Sequence, residues 1–492
     1  MTRSGVRTTV KVRVKAEVIT TRKRRRLEQI TGRDTRIVKQ YLKVIYHNEE
    51  QLLTKMRGKK KVSKAKLDNL TLTTYKKNKR PKRPTVRHDL KRNFPRCSQN
   101  ELQECRENAV ATYHSQQENS SVPAKSPPLK KIPRTQLAHS KRFILTCSPS
   151  NSIARWWVGI RDSLDTKKND TRKHEKLWLP LACSPYHEHK LHQGKTQALE
   201  VLYYPKRKEW WIHFILLHVP DKYLSSRPPA VLGIDLGINK RAVSALLTPK
   251  GTINRHEIRF WSDKTRKKLQ KKTEQKIAKL QEFLAKPSLS LSKRDSLLHQ
   301  LKSLRKRQRT EHKLTDHTYV NRLVKYILSV GKRYDLYVVV GFPLHIRKSH
   351  FRGNLHPHSR KSIHKWNYRR VVELLKFKLS LHGWEELKIL AIGESWTSSC
   401  CSCCGSYHTI RPNQPTFICH TCGYNLNADL NGAKNIAKRL IKYVLQPQYT
   451  SIKDQVSGKY FPLSSFRVFP VLSQWLQTKQ CHLLTPGAGV RA

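Results

Sequence analysis

The 492-residue chain carries 99 Lys and Arg against 34 Asp and Glu, a formal charge of +65. A field of that size repels itself in a compact body unless a polyanion neutralises it, so the composition points to a nucleic-acid partner. The excess is spread over nearly the whole chain and interleaved with Trp, Tyr and His, which argues against a membrane surface or plain solubility as its reason.

No stretch of 18 or more apolar residues occurs, and MTRSGVRTTVKVRVKAEV has no apolar h-region, so neither a transmembrane helix nor a secretory signal is expected. The expected setting is cytoplasmic, nucleoid-associated if the host is prokaryotic. At this length about two to four domains are expected. Of eleven cysteines, six (Cys400, Cys401, Cys403, Cys404, Cys419, Cys422) crowd into 23 residues in paired spacing. In a reducing compartment that pattern reads as metal binding rather than disulfides.

Residues 8–18 alternate Val10, Val12, Val14, Ala16 and Val18 with polar residues, the period of a half-buried strand. The basic cluster Arg22 to Arg26 follows, readable as an RNA-contacting arm or, in a eukaryotic host, a nuclear signal. Val38, Tyr41, Leu42 and Ile45 recur at helical spacing, and 99–116 reads as a second helix, so 40–120 forms a small basic helical insertion. Pro123, Pro127, Pro128 and Pro133 mark a linker. Residues 198–217 read as a hairpin around Pro205 to Lys208, a sheet that the strand at 8–18 can join as a barrel. Core packing is the better reading of its Trp210-Trp211 pair and of Trp156-Trp157.

From 231 the chain reads as three short strands, the first ending in Asp235. Two Lys/Arg-dense helices over 262–312, split at Pro287, come next, with a stripe of Ile277, Leu280, Leu284, Leu297, Leu301 and Leu304. A strand at Leu336–Val340, a helix at 364–382, a strand at Leu387–Ile392, the cysteine cluster and a helix at 427–444 complete the arithmetic of a mixed α/β sheet. The tail 446–492 shows no pattern.

Cys401-x-x-Cys404-Gly and Cys419-x-x-Cys422-Gly make two knuckles in the spacing of a tetrahedral four-cysteine zinc site. A rival register uses Cys400 and Cys403, but only the first places Gly after both pairs, at 405 and 423. Asp235 in Gly-Ile-Asp-Leu-Gly ends an apolar strand between glycines that let a phosphate backbone approach; a strand-end turn residue is the plain alternative. Asp429 follows the cysteine module at a helix start, where the dipole favours any acid. His345, His350, His356, His358 and His364 are irregularly spaced in a basic segment, which suits nucleic-acid contact better than metal ligation.

The segments GIDLGINK, TSSCCSCCG and FICHTCGYNLNADLNGAKNIA, with the basic helices between them, resemble the C-terminal half of the TnpB (OrfB-type) proteins of insertion sequences. Those proteins are related to the type V CRISPR nucleases and to Fanzor. The resemblance covers about 227–445 and is loose before that. It implies an α/β and β multidomain fold: an RNase H-like RuvC nuclease domain (227–397 plus 425–445) with an inserted zinc ribbon (398–424). Before these come a β-barrel wedge-like domain (1–39 plus 134–226), its basic helical recognition insertion (40–120) and a Pro-rich linker (121–133). It further implies an RNA-guided DNA endonuclease of a transposable element. The partners are guide RNA and a double-stranded DNA target, with no membrane; the metals are structural Zn²⁺ on Cys401, Cys404, Cys419 and Cys422, and catalytic Mg²⁺ or Mn²⁺. Whether the protein acts as a monomer is left open.

Residue by residue, Asp235 takes the first catalytic carboxylate of the resemblance and Asp429 the third. The second departs from the common pattern: Gly341 stands after the fourth strand, and glycine cannot bind a metal. Either the nuclease is dead and the protein occupies DNA as a repressor, or another acid has moved in. The resemblance to a rearranged subset of TnpB and Fanzor proteins favours Glu394, which precedes Thr397-Ser398. Glu373 lies mid-helix, where pairing with Arg369 or Arg370 is expected. Three converging acids would hold two divalent ions about 3.5–4 Å apart.

Overall fold

Alternation of Val10, Val12 and Val14 with Lys11 and Arg13 gives the first strand one buried face, and it lies in the middle of a seven-stranded antiparallel sheet. The computed structural model describes residues 5–56, 59–73, 86–119, 135–138, 142–148, 153–161, 176–223, 226–237, 242–262, 264–287, 289–343, 368–413, 415–445 and 449–466. Contacts divide the chain into two units, Met1–Val219 and Pro220–Ala492.

In chain order the first unit holds β1 (Val6–Val14), α1 (Thr21–His47), α2 (Glu49–Leu52), β2 (Leu53–Met56), β3 (Lys59–Val62), α3 (Lys64–Thr71), α4 (Leu90–Asn93) and α5 (Gln99–Asn119). It continues with β4 (Thr135–Ala138), β5 (Phe143–Cys147), β6 (Trp156–Arg161), β7 (Lys176–Ala182), α6 (Pro185–Gln193), β8 (Lys195–Tyr204) and β9 (Glu209–His218). The sheet order is β4-β8-β9-β1-β7-β6-β5. The expected hairpin is β8–β9, and β1 pairs β9 from Val6 against His218 to Arg13 against Trp211. Among the described residues no pairing joins β4 to β5, so the barrel expected from the sequence is not found closed. Trp156 and Trp210 are buried in this core with Val12, Ile212 and Phe214.

α1 begins at Thr21, earlier than the helical spacing suggested, because the Thr20 hydroxyl accepts the Lys23 N–H and caps it. The basic cluster is therefore its first turn, and the expected boundary at 39/40 falls inside one helix. Leu27 and Ile30 pack into the sheet core, whereas Ile37, Tyr41 and Ile45 pack with α3 and α5 in a second core. Between the two cores, Arg33 donates to Asp34 and Glu101, and Arg142 donates to Asp34, all four side chains being buried. Paired ions of this kind are costly to break singly.

The second unit runs β10 (Pro229–Asp235), β11 (Ala242–Leu247), β12 (Ile253–Trp261), α7 (Lys264–Leu284), α8 (Leu291–Gly331), β13 (Asp335–Phe342), α9 (Tyr368–Ser380) and β14 (Ile389–Gly393). The ribbon strands β15 (Thr409–Ile410), β16 (Thr416–Cys419) and β17 (Asn425–Asn427) lead into α10 (Ala428–Leu445), then β18 (Ser451–Lys453) and β19 (Tyr460–Pro462). The sheet order is β12-β11-β10-β13-β14, an antiparallel meander extended by two parallel strands. Both faces are covered, which is why β13 reads as an unbroken apolar run. Its Leu336, Val338 and Val340 meet α8 and α9 on one side, and Tyr337 and Val339 meet α10 on the other. α7 and α8 flank Pro287 as expected, but α8 continues to Gly331 because Tyr319, Val320, Leu323 and Ile327 extend its buried stripe to the sheet.

The tail is not patternless. Ile452 and Phe466 enter the core beside α10, and the buried Asp454 accepts from Lys376 Nζ (2.6 Å), Ala391 N (2.8 Å) and Ser457 N (2.7 Å). Gln455 N donates to Ala391 O at 2.9 Å, so residues 454–455 clasp the outer edge of β14. The histidines from His345 to His364, the Pro-rich linker and residues 467–492 lie outside the described residues.

Candidate metal centres of the mixed sheet and the ribbon

Parallel pairing carries the C-terminal ends of β10, β13 and β14 to one sheet edge, where Asp235 ends β10, Gly341 stands in β13 and Glu394 follows β14. α10 crosses this edge at close range. A Cβ at Gly233 would lie 2.2 Å from Ala433 O, and one at Gly432 would lie 2.4 Å from Asp235 Oδ2. Two glycines thus let the helix backbone reach the strand. That brings in Asp429, in the first turn of α10, where Asn427 Oδ1 accepts the N–H groups of Asp429 (3.1 Å) and Leu430 (3.3 Å).

Gly341 is not an empty place. A Cβ there would lie 3.0 Å from Glu394 Oε2, 3.3 Å from Glu394 Cβ and 2.5 Å from Ile436 Cδ1. The Glu394 carboxylate fills the space into which a side chain at 341 would grow. Its Oε2 is out of contact with solvent and has no hydrogen-bond partner among the described residues. A buried acceptor without a donor costs roughly 1–3 kcal/mol, more for a charge, unless a cation satisfies it.

Burial, reinforced by Asp429, pushes the Asp235 carboxyl up to about 7, and the positive charge of Arg411 pulls the other way. Burial and Asp235 push Glu394 up to about 8 against the pull of Arg439. Each acid therefore feels the next. Glu373 pairs with Arg369 Nε at 2.9 Å on an exposed helix face, its expected structural role.

Glu394 sits on a loop, and one face of α10 holds that loop. Arg439 donates to Gly393 O and, at 2.6 Å, to Ser395 O, the carbonyls on either side of Glu394. Asn435 donates to Thr397 O (2.8 Å) and Cys400 O (2.7 Å), Asn431 to Cys400 O (2.7 Å), and Lys438 to Ser402 O (2.5 Å). Asn431 Oδ1 accepts Ser402 N at 2.8 Å. Sequence reasoning missed this comb, although Asn431 and Asn435 at i,i+4, continued by Lys438 and Arg439 on one polar helix face, were a signal. Arg411, just past β15, was also missed, and no local pattern announces it.

In the ribbon the structure brings together Cys401, Cys404, Cys419 and Cys422, whose sulfurs lie within 4.8 Å of one another. Cys401 and Cys422 are 3.7 Å apart, and Cys404 and Cys419 3.6 Å. Four sulfurs about 2.3 Å from a tetrahedral centre are roughly 3.8 Å apart along each edge, so the cage has the size for zinc. A disulfide needs about 2.05 Å. Backbone N–H groups of Cys422 and Thr421 outweigh burial and bring the Cys419 thiol down to about 7, whereas burial holds Cys401 and Cys404 above the ordinary thiol range, so Cys419 is the thiolate that forms first in the metal-free cage. Gly405 and Gly423 both have positive φ, 80° and 68°, as knuckle turns require. Cys400, the rival ligand, instead points its sulfur at Gly405 O, 3.2 Å away.

Residues 368–436 match the family model described as the Cas12f1-like TNB domain. The CRISPR-associated endodeoxyribonuclease Cas12f1 of Sulfoacidibacillus thermotolerans is 36% identical over 76 residues, 15% of this chain and 17% of that protein's length. A cryo-EM structure of a Cas12f1-sgRNA-target DNA complex aligns with a TM-score of 0.54 at 14% identity, covering 88% of this chain and 99% of that one. At such low identity the likeness is one of fold: a multidomain α/β architecture shared with a Cas12 nuclease. The chain is related to TnpB and the type V CRISPR nucleases.

Proposed function

We propose that this chain is an RNA-guided DNA endonuclease of the TnpB type, encoded by a transposable element, with Asp235, Glu394 and Asp429 as its catalytic carboxylates. One observation carries the reading: the buried, unpartnered Oε2 of Glu394 lies where a side chain at Gly341 would stand, beside Asp235. An acid moved to the adjacent strand end fills the place of the missing one, so the glycine does not by itself argue for a dead nuclease.

Hard carboxylate oxygens fit Mg²⁺ or Mn²⁺, which when bound activate water and stabilise the leaving oxygen of a phosphodiester. The chain's own residues would hold the ions and orient the phosphate, with Arg411 close enough to Asp235 to meet its negative charge. The four cysteines would hold a structural Zn²⁺ that fixes the ribbon, and with it the segment leading back to Glu394. The second unit is then an RNase H-like RuvC domain with an inserted ribbon. In the first, the seven-stranded sheet would serve as the wedge and α1, α3 and α5 as the recognition helices. Guide RNA and the guide–target duplex would be held through phosphates by the basic surface, chiefly α7, α8 and the first unit.

The test purifies the full chain with the RNA it carries from its native locus and adds target duplex and Mg²⁺. Cleavage abolished by Asp235→Ala is the expected result. RNA-directed DNA binding without any cut would instead establish the repressor reading, and cleavage undiminished by Asp235→Ala would sink the assignment of the acids.

A further inference from the structure

Glu394, Ser395, Trp396 and Thr397 form a turn in which Thr397 N (3.1 Å) and Thr397 Oγ1 (2.8 Å) both donate to Glu394 O. Trp396 is its third residue and has φ of +67°. A positive φ at that position belongs to the type II turn, where glycine or asparagine is the usual occupant. A bulky aromatic there is strained. The strain is held in place from all sides: Trp396 O accepts from Ser399 N and Cys400 N, both at 3.1 Å, and Arg439 grips the carbonyls of residues 393 and 395.

The side chain gains nothing from the core in return, for Trp396 is 67% exposed. Indole in water forgoes the burial that usually justifies a tryptophan. The turn would be better served by glycine and the surface by a polar residue, so neither explains the tryptophan. Its place explains it: two residues from the acid, on a rigid turn, in a chain of charge +65. A solvent-exposed π face two residues from Glu394 in a basic protein is the equipment that single-stranded nucleic acid requires, with cations for the backbone and an aromatic ring for a base.

We propose that Trp396 is a stacking platform for a nucleobase of the single DNA strand delivered to Asp235, Glu394 and Asp429, and that it sets the register of the scissile phosphate. This rests on the nuclease reading above, and its test is chosen so that the two can fail separately.

The full chain with its RNA, carrying Asp235→Asn to prevent turnover, is titrated with short single-stranded DNAs bearing 2-aminopurine at successive positions. Stacking quenches the probe without any need for cleavage. Quenching should peak at one position, vanish in Trp396→Ala with about tenfold weaker binding, and persist in Trp396→Tyr. Trp396→Gly should lose the quench too, yet melt no lower than the parent, because glycine relieves the positive φ. Without Asp235→Asn, Trp396→Ala should raise KM and scatter the cut positions.

Quenching unchanged in Trp396→Ala, or a lower melting temperature for Trp396→Gly, would overturn the proposal by showing that the ring is idle or packs for structure. Quenching by the matching RNA but not by DNA would overturn the choice of strand. If no duplex is ever cut, the nuclease reading fails while the quench still answers for Trp396.

Discussion

Moving the acid back to position 341 tests the chemistry most severely. On the proposed function Glu394→Ala removes a charged ligand, an expected loss of several kcal/mol in transition-state stabilisation and about 10³-fold in cleavage rate. It should not destabilise the metal-free fold, because the deleted Oε2 is buried and has no hydrogen-bond partner among the described residues. A side chain at 341 starts 3.0 Å from the present Oε2. A glutamate carries its oxygens roughly 3–3.6 Å from its Cβ by ordinary bond lengths, so Gly341→Glu can put an oxygen where Glu394 now has one. The obstacle is Ile436 Cδ1, 2.5 Å from the new Cβ; left in place it costs about 1–3 kcal/mol of overpacking. Ile436→Val deletes that atom at a cost of about 0.5–1.5 kcal/mol. In single-turnover cleavage of target duplex, Glu394→Ala should be dead, and Gly341→Glu/Glu394→Ala/Ile436→Val should regain at least tenfold over it. The reasoning is refuted if Glu394→Ala cuts within tenfold of the parent, or if the triple variant folds, keeps its RNA and stays as dead as the single one.

The raised Asp235 and Glu394 carboxyls hold protons in the folded metal-free protein that the unfolded chain gives up near pH 4. Their contribution to metal-free stability should therefore be full near pH 4 and be lost as pH rises through about 7 and 8; Asp235→Asn should flatten that fall, and Mg²⁺ should reverse it, as melting curves of parent and variant compared across pH 5–8.5 would show. Cys419→Ser, or a strong chelator, should release one equivalent of zinc by atomic absorption and also weaken Mn²⁺ binding at the acids by about tenfold or more in paramagnetic titration; Mn²⁺ affinity unchanged by zinc loss would contradict the coupling through α10. Arg411→Ala should cut the cleavage rate by about 10- to 100-fold and shift the acid limb of the pH–rate profile upward, since the cation that lowers Asp235 is gone. An unmoved limb would remove Arg411 from the site.

What the sequence made legible was what is local. Cys401, Cys404, Cys419 and Cys422 are two knuckles whose spacing alone encodes a ligand cage, and Asp235 and Asp429 stand in short motifs. Gly341 was legible as a missing acid but not as a filled position, because its contact with Glu394 and Ile436 arises only when β13, β14 and α10 come together. The tail was unreadable for another reason. Its strands are three residues long, and it is fastened by scattered groups, Asp454 on Lys376 and Ala391 with Ile452 and Phe466 in the core, a pattern with no periodicity. α1 was drawn too short because its first turn is basic rather than amphipathic, and its cap at Thr20 carried the start signal instead.

A carboxylate on a strand inherits its position from the sheet ladder, whereas Glu394, one residue past β14, has no ladder of its own. Loops place ligands less accurately than strands unless a supporting shell fixes them. Here Arg439 grips the carbonyls on both sides of Glu394, Asn431 and Asn435 hold the segment on to Cys400, and Asp454 pins β14 at Ala391, three residues before the acid. Asp429 belongs to the same helix as Arg439, so Asp429 and the clamp on Glu394 share one rigid element. Glu394 and the ribbon are therefore tied to one helix. The segment that α10 holds begins at Glu394 and ends at the Cys401 knuckle, so on the function proposed above the loss of a metal from either end is expected to loosen the same hydrogen-bonded strip.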